Sequence, residues 1–340
     1  MAGTLITGAT GHLGNNLMRI MLKKGRHLRA GVHHSANDDA FQGVDVEKVR
    51  LELLDRTSLE NALRGVEILY HTAAPNRIWD KKSDQVFLQR ELDGTRNLLE
   101  EAKKAGVKKI IFTSTIFAAG IQTTQESPID ENSWYSGNAH PFFKAKVESE
   151  KLALNLAKEL DLHLVSVVPG LMAGPYAYYK EDRLPLMMDF IQAILRNYYL
   201  QMPAYYFPLV DIRDVVDGML RAEERGKKWN RYLFTADSIV SFAEISKELG
   251  RGDQIILLPR KEASKWRTVL RARRLMLSKL MGSTETGFTP RLVKTFWGLT
   301  PYNDNSKAKK ELGWEPRKAI LAAHSAELWL QIDRKEKPFP

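Results

Sequence analysis

Two rhythms of apolar and polar positions alternate along the first half of this chain. Strand-like runs fall at 4–7, 28–33, 48–51, 68–72, 109–114 and 163–168. Between them, apolar residues return every three or four positions over 13–24, 57–63, 84–105 and 143–159. The short runs have the length of buried strands, and the longer stretches carry the apolar stripe of a helix packed on a sheet. Repeated strand–helix alternation predicts an α/β fold, a doubly wound parallel sheet with helices on both faces. In such sheets a ligand sits at the C-terminal ends of the strands, where the strand order reverses. Beyond Pro169 the rhythm loosens into sequence rich in Pro, Tyr and Met, which predicts a smaller C-terminal lobe that holds a substrate.

Chemistry first becomes legible at the turn between the first strand and the first helix, Gly8-Ala9-Thr10-Gly11-His12-Leu13-Gly14. Gly8 permits a tight turn, Gly11 lets backbone approach a pyrophosphate, and Gly14 lets the helix pack close to the strand. The helix N-terminus attracts the phosphate charge. The pattern assigns dinucleotide binding to Gly8, Thr10, Gly11, His12, Leu13 and Gly14. Residues 1–168 are therefore expected to form the dinucleotide-binding domain, with roughly 208–235 returning to it. Residues 169–207 and 236–340 are left for the lobe.

Composition narrows the classes. The chain of 340 residues has no cysteine, which excludes disulfides, thiol nucleophiles and Cys-ligated metal. Its eight histidines lack ligand-like spacing, so no metal is expected. The first strand begins within three residues, with no basic leader or apolar stretch of signal-peptide length. No run reaches about 18 apolar residues, and a cytoplasmic protein is expected. The net charge of +10 concentrates between Arg260 and Lys279, where eight Lys/Arg face one acid, Glu262. Over 260–281 this reads as a solvated helix covering a cleft, or as an interfacial helix giving peripheral membrane contact. No reader motif accompanies the charge, so no nucleic acid is expected.

Further landmarks arrive in order. Leu54-Asp55 follows the third strand, His71-Thr72-Ala73-Ala74 ends the fourth, and Gly94-Thr95-Arg96-Asn97-Leu98-Leu99 lies in the next helix. Phe112-Thr113-Ser114-Thr115 ends the fifth strand, Pro169-Gly170-Leu171-Met172-Ala173-Gly174-Pro175 follows the sixth, and Asn305 to Trp314 forms a late signature. Together with the glycines, these make the chain resemble the extended short-chain dehydrogenase/reductase family. The resemblance is strongest to the subgroup of dihydroflavonol reductases and 3β-hydroxysteroid dehydrogenases. It implies a Rossmann fold, with Asp55 at the adenine, Ala73, Ala74 and Thr113 beside the cofactor, and Pro169 and Leu171 near the nicotinamide. It also implies a homodimer through the helices over 84–105 and 143–159, with Leu88, Leu92, Leu98 and Leu99 as apolar positions on the first.

That family reduces carbonyls with a Tyr and a Lys four residues apart on one helix and a Ser/Thr hydroxyl on the neighbouring strand end. The lysine lowers the tyrosine pKa and holds the ribose, the tyrosine moves the proton, and the hydroxyl orients the carbonyl oxygen. Here Lys146 and Thr115 stand in those places, but Phe142 occupies the tyrosine position. A phenyl ring has no proton to give. Three readings follow: an inactivated variant, a member using another acid such as water, Tyr176, Tyr178 or Tyr179, or a protein that has left redox chemistry. Two smaller departures are Glu91, where the family often has Asn, and Val168, where it often has Arg. Glu91 reads as an alternative proton relay or a plain exposed helix residue.

NAD-preferring members place an acid at the end of the second strand to hold the ribose diol. This chain has Val32, His33, His34 and Ser35 there, with His33 where NADP-using relatives often carry Arg. NADP is the expected cofactor, with NAD the alternative. The aromatic and Met-rich lobe suits a hydrophobic small molecule. The combined expectation is an oxidoreductase scaffold interconverting a hydrophobic ketone and alcohol. The alternatives are a non-redox cyclase, epimerase or lyase in the same pocket, and a catalytically silent dinucleotide-binding protein.

Overall fold

Every position of β1 (Thr4–Thr7) is buried, as befits a parallel strand covered on both faces. It leads through the glycine turn into α1 (His12–Lys23), which buries Leu13, Leu17, Met18 and Met21. β2 (Arg29–Val32), β3 (Glu47–Arg50), α2 (Arg56–Leu63), β4 (Ile68–His71) and α3 (Asp84–Lys104) follow. Next come β5 (Lys109–Thr113), the short α4 (Ile116–Ala119), α5 (Pro141–Glu159) and β6 (Leu164–Pro169). The looser second half supplies β7 (Leu171–Ala173), α6 (Leu186–Leu195), β8 (Gln201–Pro203), β9 (Tyr206–Phe207) and β10 (Leu209–Asp211). It continues through α7 (Ile212–Arg225), β11 (Arg231–Phe234), β12 (Val240–Ser241), α8 (Phe242–Glu248), β13 (Ile256–Leu258), α9 (Ser306–Leu312) and α10 (Ala319–Gln331). The computed structural model describes residues 3–34, 38–73, 84–137, 141–176, 184–196, 201–252, 256–258 and 298–331.

The main sheet has seven strands in the order β11-β6-β5-β4-β1-β2-β3, and all its neighbours are parallel. Strand order reverses between β1 and β4, so a crevice opens at their C-terminal ends. All six strand-like runs of the first half lie in this sheet, and β11 joins them from the second half. α1 and α7 cover one face around Leu17, Met18, Val215 and Met219. α3 and α5 pack on each other across the opposite face, burying Leu98, Leu99, Ala153 and Leu156. Leu98 and Leu99 are fully buried and so are not available to a contact between copies. On α3, Val86 is exposed and Leu88 and Leu92 are half-buried.

α5 begins two residues earlier than its periodicity suggested. Proline suits the first helical position because the N–H it lacks would have no partner there. The early start adds Phe142 to the helix beside Phe143, and both are buried. They join a core that continues through Met187, Met188, Phe190, Phe207, Phe242 and Trp329 of the lobe. The lobe is thus not hinged to the sheet by a polar seam; one apolar cluster runs from α4 and α5 into α6, α8 and α10. The late signature is structural: the Trp314 indole donates to the Asp214 carbonyl at 2.8 Å, and Asn305 donates to the Thr235 carbonyl at 2.7 Å.

Candidate active site and dinucleotide cradle

Gly8 has a φ of +67°, and a Cβ there would lie 2.8 Å from Ala73 backbone atoms. A Cβ on Gly14 would lie 2.3 Å from the Gly8 carbonyl oxygen. Only glycine lets β1, α1 and the end of β4 approach this closely. Gly11 caps α1 without a side chain, leaving the first-turn N–H groups of His12, Leu13 and Gly14 to meet an anion. The strand ends are tied together: the Thr72 hydroxyl donates to the Thr7 carbonyl at 2.6 Å, and the Ala73 N–H donates to Thr7 Oγ1 at 3.1 Å. His71 Nδ1 shares a 2.9 Å hydrogen bond with the same hydroxyl. Burial, reinforced by the Lys146 charge, pushes His71 down to about 3, so it is a neutral strut.

The far side of the turn is clamped by the chain after β7. His12 Nε2 hydrogen-bonds the Pro175 carbonyl at 3.0 Å, and burial lowers its pKa to about 4. Its ring lies edge-on to Tyr176 at 5.1 Å, and the Tyr176 hydroxyl donates to the Thr10 carbonyl at 3.0 Å. Tyr176 therefore braces the cradle, and its proton is engaged there instead of facing a substrate. Tyr178, Tyr179 and Ala74 lie outside the described residues, as does the basic segment 260–281. Pro169 ends β6, and beyond it the Leu171 N–H donates to the Pro208 carbonyl at 2.9 Å.

At the end of β2 the structure adds a residue that sequence reading missed. His33 Nε2 lies 3.0 Å from Glu52 Oε2, and His34 Nδ1 lies 2.8 Å from Glu52 Oε1. These nitrogen and oxygen atoms lie within 4.8 Å of one another, although no spacing in the sequence suggested a cluster. Burial raises Glu52, but hydrogen bonds from His34 and the nearby imidazoles bring it below the usual carboxylate range. The available signal was register: Val32 pairs with Arg50, so Glu52 falls beside His34. Asp55, expected at the adenine, uses its carboxylate to cap α2 by accepting from the Ser58 N–H at 3.1 Å.

α3 and α5 bring Lys146, Glu91 and Phe142 together. Lys146 donates to Glu91 Oε2 at 2.9 Å, with only 12% and 5% of the two side chains exposed. Glu91 is thus a buried partner of the lysine and not a plain surface residue. The Lys146 ammonium also sits 5.4 Å from the centre of the Phe142 ring. Phe142 is walled by Phe143, Phe87 and Phe117 at ring separations of 6.0, 6.1 and 6.4 Å. Thr115 caps α4 through a long 3.5 Å bond accepted from the Phe117 N–H, which leaves its own O–H available as a donor. Ser114 donates to Glu150 at 2.7 Å, and Glu150 is held in turn by Arg231. Thr113, His71, Ala73, Glu91 and Lys146 line one pocket at the ends of β4 and β5.

A cradle that a Cβ would fill, helix-start N–H groups with no partner among the described residues and a polar pocket beyond them fit a dinucleotide. The chain belongs to the NAD dependent epimerase/dehydratase family, which matches residues 4–232. It is an enzyme of the NAD(P)-dependent oxidoreductase type within the extended short-chain dehydrogenase/reductase group. It is 31% identical to sterol demethylase protein B of Methylococcus capsulatus, over 96% of this chain and 98% of that one. It is 28% identical to cinnamoyl-CoA reductase 1 of Petunia hybrida, over 72% of this chain and 76% of the relative. Among solved structures, gox2253 superposes with a TM-score of 0.78 at 26% identity, covering 97% of this chain and 98% of that one. A dTDP-glucose 4,6-dehydratase from Streptomyces venezuelae, solved with NAD bound, shares the fold at a TM-score of 0.73 and 19% identity. That alignment covers 98% of each chain.

Proposed function

We propose that this enzyme interconverts a hydrophobic ketone and the corresponding alcohol, with NADP(H) as its preferred cofactor. The observation that carries this reading is the aromatic box around Phe142, set within one helical turn of Lys146 on a reductase-type scaffold. An apolar wall at the reacting end favours a substrate with an apolar body, and the names of the sterol and cinnamoyl-CoA relatives support the same class. A bound nicotinamide supplies or accepts the hydride at the carbonyl carbon. Thr115 donates to the carbonyl oxygen, Lys146 holds the ribose, and Gly8, Thr10, Gly11, His12, Leu13 and Gly14 form the pyrophosphate cradle. Ala73, Thr113, Pro169 and Leu171 flank the nicotinamide half, while His33 and His34 meet the adenosine phosphate.

With Phe142 the side chain beside Lys146 moves no proton, so turnover on simple ketones is slow. Phe142→Tyr places a hydroxyl there and is expected to raise ketone-dependent NADPH oxidation by roughly 10²-fold or more. Lys146→Ala in that background removes the gain. If a broad panel of hydrophobic ketones and alcohols gives no turnover with either residue at 142, the redox reading fails. Conversion of a substrate by the Phe142 chain with no change in NADPH would put a non-redox reaction in its place.

A further inference from the structure

The pocket between α3, α5 and the ends of β4 and β5 contains a carboxylate that its ion pair only half satisfies. Glu91 Oε2 accepts from Lys146, yet Oε1 is buried with no hydrogen-bond partner among the described residues. Thr113 Oγ1, lining the same pocket, has none either. Leaving a buried carboxylate oxygen unmet is expensive, and such atoms in a native fold call for an explanation. Phe142, the neighbour of Lys146 on α5, offers nothing to bond with. A divalent cation in this pocket would be set against the Lys146 ammonium, and a phosphate against the unmet Glu91 oxygen. A neutral group rich in hydroxyls meets neither objection.

We propose that Glu91 is itself a cofactor-binding residue, its unmet oxygen accepting a hydroxyl of the nicotinamide ribose while Lys146 donates to the same diol. A vicinal diol presents both hydrogens and lone pairs. A paired carboxylate and ammonium satisfy both, where either alone satisfies one kind. The ribose in question is the one at the reacting end, because the adenosine side of the crevice lies across β1 at His33, His34 and Glu52. Glu91 thereby supplies from α3 a polar contact to the cofactor that Phe142 cannot supply from α5.

The test is binding, and it stands whether or not the ketone–alcohol reading holds. Glu91→Gln keeps the side-chain length, but its single oxygen is claimed by Lys146 and an amide NH₂ faces the pocket. Calorimetric titrations would compare NADPH, NADH, ADP-ribose and ADP; ADP-ribose carries the second ribose without nicotinamide, and ADP lacks both. Glu91→Gln is expected to weaken NADPH, NADH and ADP-ribose by about tenfold or more and to leave ADP unchanged. Glu91→Asp, which keeps the charge but withdraws the oxygen by one methylene, should give the same pattern and decides the matter if the Gln variant does not fold. Unchanged affinity for ADP-ribose in both variants overturns the proposal. Equal loss of ADP binding also overturns it, since Glu91 would then only support the fold.

Discussion

Single residues explain why this site differs from an ordinary carbonyl reductase while its scaffold does not. In our reading Phe142 stands where a proton donor would, and it keeps the helix and its core packing because a phenyl ring fills the space a phenol would. Glu91 converts a lone lysine into a buried pair. Glu52 brings a negative charge to the place where β2 itself ends without one, and engages the two imidazoles that face a 2′-phosphate in our reading. Removing that charge therefore has a defined consequence. Glu52→Gln should raise the NADP-to-NAD affinity ratio by about fivefold, the effect of roughly 1 kcal/mol between charges a few ångströms apart in water-like surroundings. Parallel fluorescence titrations with the two cofactors measure it; an unchanged ratio would place the phosphate away from His33 and His34.

At the scale of elements, α5 is set by its first residues. Pro141 starts it, Phe142 and Phe143 face the lobe, and Lys146 one turn on faces Glu91 of α3. The α3–α5 pair thus serves the sheet with one face, which is why Leu98 and Leu99 are sealed. We propose that the outer face of the same pair joins two copies of the chain, with exposed Val86 within the contact. Sedimentation should then give a dimer mass at micromolar concentration. Val86→Lys should shift it towards monomer by placing a charge in an apolar seam; a monomer mass for the unaltered chain would end the proposal.

On the scale of the whole molecule, the cradle and the lobe are one mechanical unit. The Tyr176 hydroxyl holds the Thr10 carbonyl, and its ring lies 6.4 Å from that of Trp329 on α10. The same packing has a cost in acid. His71 titrates at about 3 in the fold and at 6.5 when freed from it. Between those values the unfolded chain takes up a proton that the folded chain refuses. Stability therefore falls as pH drops from about 6.5 towards 3, by up to about 1.4 kcal/mol per pH unit from this residue. His12 adds a similar slope down to about 4. Urea unfolding at pH 8, 6 and 5 should show the decline, and His71→Gln should flatten it by up to one proton. An unaltered slope would mean that the proton is taken up elsewhere.

The alternation of strand and helix, the glycine turn and the Lys146–Phe142 spacing were all legible in the sequence, because each rests on local geometry. A strand buried on both faces must be apolar, a left-handed φ asks for glycine, and residues four apart on a helix share a face. What the fold alone decided was which distant groups meet. Nothing local in Glu91 says that it faces Lys146 55 positions away, nor in Glu52 that it sits beside His34. Those contacts depend on how two helices cross and how two parallel strands register. Tyr176 read as a packing residue or an alternative acid until its hydroxyl was found on Thr10, and nothing local in Asp55 says that one of its oxygens caps α2. Sequence determined the elements and the chemistry each side chain can offer; tertiary structure determined which partner claims it, because hydrogen bonds and ion pairs form only within a few ångströms.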